Sequence, residues 1–283
     1  FINVLLYELH KDSLGFVLYL NLVYINFFDS FRESLNRNSK LFYIYENLSW
    51  QRIIDKTFIS KTQPKCFAFQ HSSIRFWDLR YFFTKSKYFP KNYLISNKYY
   101  SKYISKNFNM NFIKVENLKF NSQISPILKK KYKNKVLIFL DHVQEDNLKF
   151  IKILEKNLFL QDNYKFTFQH MHLNNFLKKN TINFKYNIIN NTSPSILNSY
   201  NFYISVGASG SMEDVLQINE VPFIFNPNKF INLSPLEYLK KDTFFNNDRE
   251  LINLLINKNK FKFKISNFYL GKNLKLWKNL LSS

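Results

Sequence analysis

Hydrophobic and polar positions alternate along this chain in short blocks, and the blocks recur in one order: an apolar run of about five residues, a polar break, then an amphipathic stretch. Leu41–Tyr45, Lys65–Gln70, Tyr93–Ser96 and Phe112–Val115 read as buried strands of the first half. Ser49 can cap a helix after the first of them, with Trp50, Ile53, Ile54 and Phe58 on one face. Arg75–Phe83 and Tyr99–Ile104 read as helical. Asn121–Ser125, followed by Pro126, looks like a crossing between domains. The rhythm then restarts with strands at Lys135–Leu140 and Lys165–Phe168 and a helix over Asp146–Asn157. Ser195–Ser199, Ser234–Lys240 and Asp248–Ile256 read as further helices. The longest apolar run, Leu14–Phe28, is broken by Asn21 and Asn26 and is short for a membrane span. It is expected to form a buried strand and helix.

The pattern is densest at Phe202–Pro227. Phe202–Val206 is a strand, Gly207 and Gly210 bracket a turn of small residues, and Val221–Phe225 is the next strand. Ser211 is placed to cap a helix, with Asp214 in the capping-box position and Met212, Val215 and Leu216 on its apolar face. A helix that starts at the carboxyl end of a strand offers unpaired N–H groups and a positive dipole end to an anion. Glu213 and Asp214 could equally do no more than offset that dipole.

Alternating strands and helices imply parallel sheets. The fold class expected is α/β, two Rossmann-like domains facing a cleft, divided into residues 1–125 and 126–283, with the first incomplete because the chain begins at Phe1. Ligands of such sheets sit outside the carboxyl ends of the strands. Glu46, His71, His170 and the 207–211 turn all fall at such ends.

Composition alters this picture only in part. The chain of 283 residues carries a formal net charge of +21, with 32 phenylalanines and only four glycines. Such a charge ordinarily suggests nucleic acid, a membrane surface or an anionic substrate. Here the lysines are scattered, and Phe, Tyr, Lys, Asn and Ile share A/T-rich codons, so nucleic acid is not expected as a partner. A mean hydropathy of -0.30 argues against a multi-span membrane protein. The single cysteine, Cys66, forbids an intrachain disulfide, fits a reducing compartment and is expected in the core. Asp-x-Asp occurs nowhere, and the His170/His172 pair lacks a third ligand at recognisable spacing, so no metal and no cofactor are expected.

Several of these segments, taken in order, resemble bacterial glycosyltransferases of the two-Rossmann (GT-B) architecture that build capsule, O-antigen and other surface polysaccharides. They are Glu46-Asn47-Leu48-Ser49-Trp50-Gln51, Gln70-His71-Ser72, Phe168-Gln169-His170-Met171, Ser209-Gly210-Ser211-Met212-Glu213 running to Val221-Pro222, and Asn232-Leu233-Ser234-Pro235-Leu236. Gln51, Gln169, Met171 and Glu220 depart from the family pattern. The resemblance implies a metal-independent, inverting transfer from a nucleotide sugar to a glycan or lipid-linked glycan. The sugar type, hexosyl or sialyl/Kdo, is left open. The resemblance also implies a cytoplasmic location at the inner face of the membrane, with peripheral contact to anionic lipid. His170 would face the donor phosphate beside Ser209, Gly210 and Ser211, and Glu213 would accept from ribose hydroxyls. His71 and Glu46 are the candidates for the base that takes the acceptor's proton. Each also has a structural reading, Glu46 as a helix cap and His71 bonded to the Ser72–Ser73 loop. Two alternatives stand beside this one: a teichoic-acid-type polyol-phosphate transferase, and a non-catalytic basic protein or decayed copy.

Overall fold

The computed structural model describes residues 16–36, 38–46, 49–58, 64–70, 90–96, 111–116, 118, 134–141, 143–169, 180–190, 192–207, 212–218, 220–227, 234, 236, 241–261 and 274–282. They form two compact units, each built on a parallel sheet.

In the first unit β1 (Lys40–Tyr45), β2 (Lys65–Gln70), β3 (Asn92–Ile95) and β4 (Asn111–Lys114) lie side by side in chain order, every pair parallel. Helix α1 (Phe16–Ser34) precedes them and α2 (Ser49–Thr57) follows β1. The expected apolar face of α2 is real: Ile53, Ile54 and the adjoining Phe58 are buried. On the sheet, Tyr43, Tyr45 and Tyr93 pack edge to face, an arrangement favoured by ring quadrupoles.

The run at Leu14–Phe28 corrects its expectation. From Phe16 onward it is one helix with no strand, and Phe28 docks while Phe16, Tyr19, Leu22, Val23 and Phe27 stay exposed. Its apolar residues surround the helix on more faces than the unit covers. Among the described residues no helix is long and apolar enough to cross a membrane.

The second unit holds β5 (Lys135–Phe139), β6 (Lys165–Gln169), β7 (Tyr186–Ile189), β8 (Phe202–Val206), β9 (Phe223–Phe225) and β10 (Phe244–Phe245). Their order is β10-β9-β8-β5-β6-β7, all pairs parallel. Counted from β5 as strand one, this is the order 3-2-1-4-5-6 of dinucleotide-binding sheets. Helices α3 (Gln144–Lys156), α4 (Leu158–Asn163), α5 (Pro194–Leu197), α6 (Met212–Gln217) and α7 (Asp248–Ile256) connect or flank the strands.

The sheet has a core on each face. Phe150, Ile151, Leu154 of α3 and Leu251, Leu254, Leu255 of α7 pack on Ile204, Val206 and Phe225. Met212, Val215 and Leu216 of α6 pack on the other face with Leu137, Tyr203 and Ile224.

Strand β9 starts at Phe223 rather than Val221, because Pro222 has no N–H to give the ladder. Helix α4, strands β7 and β10, and the last helix, α8 (Lys275–Ser282), were not expected from the pattern. Helix α8 belongs to the first unit, so a single cut of the chain near residue 125 leaves out this return. Glu116 accepts from Leu276 N (3.0 Å) at its start, and Trp277 Nε1 donates back to Glu116 O (2.7 Å). Lys40 Nζ donates to the carbonyls of Leu280 (2.9 Å) and Leu281 (3.1 Å) at its end.

The segments Arg75–Phe83 and Tyr99–Ile104 lie outside the described residues. So does the helix expected at 234–240, apart from the buried Ser234 and Leu236.

Candidate active site at the switch of strand order

In the second unit the chain leaves β5 toward β6 on one side and leaves β8 toward β9 on the other. The two strands are neighbours, paired from Val136↔Phe202 to Phe139↔Ser205. Connections that diverge in this way open a crevice at the carboxyl ends, where ligands of open α/β sheets bind.

Gly207 ends β8 at φ +57, the left-handed region that a side chain seldom adopts. Its N–H donates to Phe225 O at 3.0 Å, which ties the turn to the next strand. A Cβ at this position would fall far inside contact distance of Asp141 Oδ2 and 3.4 Å from Asp141 Cγ. Gly207 is therefore required twice, for its dihedral and for the carboxylate lying against it.

Asp141, one residue beyond Leu140 at the end of β5, is only 2% exposed. Asn147 on α3 fixes its backbone, accepting from Asp141 N at 2.8 Å and donating to Asp141 O at 2.7 Å. Asn147 is itself fully buried, so both ends of its amide are spent on holding this strand exit.

Asp141 was not among the residues singled out from sequence. The signal available was an acidic residue directly after an apolar strand, with an Asn six residues on in a helix otherwise apolar on that face.

Of the residues that were singled out, Glu213 lies in the first turn of α6 and is half-buried. Its neighbours Met212, Val215 and Leu216 have no exposure at all, so the expected face is the one buried. Ser209, Gly210, Ser211 and His170 lie outside the described residues, as does His71. The second unit thus brings Asp141, Gly207 and the start of α6 to the exits of β5 and β8.

Glu46 stands at the exit of β1 in the first unit and is half-buried. Its N–H donates to Gln51 Oε1 at 2.8 Å, and Gln51 Nε2 donates to Ile44 O at 2.7 Å. Gln51 is fully buried. This explains one departure from the family pattern, because a carboxylate at position 51 has no N–H to give Ile44.

Two other departures have partners too. Gln169 Nε2 donates to Thr192 Oγ1 at 3.3 Å, and Glu220 pairs with Lys258 at 2.7 Å. Lys258 also donates to Asn201 O and lies over the rings of Phe202 and Tyr203.

Among the described residues, the carboxyl with a resolved upward shift lies elsewhere, between α2 and β1. Burial drives the Asp55 carboxyl up to about 7, against the opposing pull of the Tyr43 hydroxyl bonded to it and of Arg52. Burial also raises Tyr43, and it lifts the half-buried Cys66 to about 12 with help from Asp55. Cys66 was expected in the core and instead sits at its margin, where β2 enters the sheet. Among the described residues no three His, Cys, Asp or Glu side chains converge in a way that could hold a metal.

The parallel sheets, the strand order and the crevice define an α/β protein of two Rossmann-like units, of GT-B class. Comparison with solved structures gives the same fold. The chain superposes on the UDP-GlcNAc 2-epimerase of Methanocaldococcus jannaschii with a TM-score of 0.60 and 10% identity, over 95% of this chain and 83% of that one. It superposes on Staphylococcus aureus MnaA, solved with UDP, at 0.58 and 11% identity, over 95% and 84%. It also matches the UDP-GlcNAc 2-epimerase of Neisseria meningitidis bound to UDP-GlcNAc, at 0.53 and 10% identity, over 93% and 80%. No family model matches the sequence, and no curated protein matches it.

Proposed function

We propose that this chain is an enzyme of nucleotide-sugar chemistry, with its donor site at the β5/β8 switch, and that it transfers the sugar to a surface-carbohydrate acceptor. The observation that carries the reading is Asp141 seated against Gly207 at the head of α6, a buried carboxylate where a ligand of this fold would lie.

In the reaction, the acceptor hydroxyl oxygen bonds to the anomeric carbon of the sugar and gives up its proton to a base. The bond from that carbon to the phosphate oxygen breaks, and its electron pair leaves with the nucleotide. Turn N–H groups at 209–211 and His170 receive the charge gathered on the leaving phosphate. Glu213 accepts from the ribose diol, a task that suits a group with acceptors and no donors. Asp141 joins Glu46 and His71 as a candidate base, with the distinction that it shares the strand edge of the donor turn. The likeness to GT-B glycosyltransferases in the ordered motifs supports transfer over other chemistry. The reaction is proposed to be inverting and metal-independent, at the cytoplasmic face where activated sugars are made.

One observation favours a second reading. The similar structures include UDP-GlcNAc 2-epimerases over nearly the whole chain, and inversion at sugar carbon 2 would use the same donor crevice.

Incubation with labelled nucleotide sugars, with and without glycan acceptors, separates the readings. Acceptor-dependent release of the nucleotide, unaffected by EDTA, is the expected result. Interconversion of UDP-GlcNAc with its C2 epimer in the absence of any acceptor would replace transfer by epimerisation. Turnover of CDP-glycerol in place of sugar donors would favour the polyol-phosphate alternative.

A further inference from the structure

We propose that the second unit carries a binding site for a phosphate-bearing small molecule in the cavity between α3 and the exits of β9 and β10, on the sheet face opposite α6. The cavity measures about 440 Å³, within the range that holds a nucleotide or a sugar phosphate.

One wall is a row of ammonium groups. Lys149, Lys152 and Lys156 line the cavity from α3 and recur at the spacing of one helix face, while Phe150, Ile151 and Leu154 are buried on the other. Lys149 lies 3.6 Å from Asp146. Neither Lys152 nor Lys156 has a carboxylate partner among the described residues. One acidic group, Asp248, also lines the cavity, with Oδ2 accepting from Asn157 Nδ2 at 3.0 Å and Oδ1 from Arg249 N at 2.9 Å. The lining thus sets three ammonium groups against the one carboxylate of Asp248 and is net positive.

The opposite side supplies the side-chain amide of Asn246, whose Oδ1 accepts from Asn247 Nδ2. Phe225, Pro227 and Ile153 give the floor an apolar surface. Ammonium groups without a guanidinium fork suit the several oxygens of a phosphate as point charges, and the floor suits a base or a ring attached to it.

The cavity adjoins the exit of β8, since Phe225 in its lining accepts from Gly207 N–H at 3.0 Å, and it lies on the α3 side of the sheet. Helices α3 and α7 cover the sheet face that carries Val206 and Phe225, and α6 covers the opposite face.

The test is calorimetric titration of inorganic pyrophosphate, at ionic strength held constant with sodium chloride. It compares the wild-type chain with Lys152→Gln/Lys156→Gln and with Glu213→Ala. The two lysines are exposed, so the double variant is expected to melt at the wild-type temperature. The wild-type chain is expected to show a saturable class of sites whose affinity falls about tenfold or more in the double variant. Glu213→Ala is expected to retain that class, whatever happens to nucleotide binding at the donor turn. Absence of saturable binding, or equal affinity in wild type and double variant, would show a solvated basic helix face and overturn the site. Loss in Glu213→Ala with retention in the double variant would move the pyrophosphate to the donor turn and overturn it as well.

Discussion

At the scale of single residues, the account rests on side chains whose geometry leaves little choice. Gly207 is the sharpest case. Gly207→Ala must place a side chain at positive φ and push Asp141 aside, at a cost of roughly 2 kcal/mol or more. Combining it with Asp141→Ala removes the clash and leaves only the backbone strain. The double-mutant cycle in urea is therefore expected to show a favourable coupling, and strict additivity of the two changes would refute the contact. Asp55 gives a prediction in pH. Its carboxyl is held at about 7 when folded, against 3.8 for an ordinary aspartate, so the folded unit keeps a proton that the unfolded chain loses. The contribution of this group to stability is then fully present below about pH 4 and is lost as the pH rises to about 7, by an amount on the order of a few kcal/mol. Asp55→Asn should flatten that decline, with Tyr43 still able to donate to the amide oxygen. Chemical denaturation at pH 5 and pH 8 reads the difference, and an equal slope in both proteins would contradict the assignment.

At the scale of elements, the strand–helix rhythm was readable because buried parallel strands are short continuous apolar runs. β2, β8 and α7 fall on the residues that the pattern indicates. What escaped has physical reasons. β7 is an edge strand in which Asn187 and Ile188 are both exposed, so it shows no apolar run. α4 is separated from α3 only by Asn157, which ends one helix and accepts from Leu160 N to start the next. α8 depends on groups far away in sequence, Glu116 and Lys40, which no local pattern displays. Removing its cap by Glu116→Ala should cost about 1–2 kcal/mol, in line with lost N-caps. Amides of residues 275–282 should then exchange faster while those of β5 and β8 are unchanged. The site was legible to the same extent. The exit of β8 at Gly207 and the buried face of α6 followed from pattern, whereas Asp141 acquires meaning only once the strand order sets β5 beside β8.

At the scale of the whole molecule, two sheets share one chain, and the chain comes back to the first after completing the second. Trp277 packs on Phe42 and Phe69, so the last helix supplies part of the core of the first unit. Truncation after Leu274 should lower the stability of that unit and leave the α3/α7 core of the second as it was. Such selectivity shows as one early transition and one unshifted transition, since a protein of two cores need not unfold as one. A uniform drop in both would mean that the C-terminal helix serves more than the first core.

The most direct test of the donor site at the β5/β8 switch is a thermal-shift titration of CMP, CDP, UDP, GDP and dTDP on the wild-type chain, Glu213→Ala, His170→Ala and Asp141→Asn. A ligand that binds only the folded state raises the melting temperature by mass action, so no acceptor is needed. The account predicts that one nucleotide stabilises the wild-type chain and that the shift shrinks in Glu213→Ala and His170→Ala. Asp141→Asn should keep most of it, because the proposal gives Asp141 a role as base toward the acceptor and not in holding the nucleotide. A folded wild-type chain that responds to none of the five would contradict a nucleotide site at this switch.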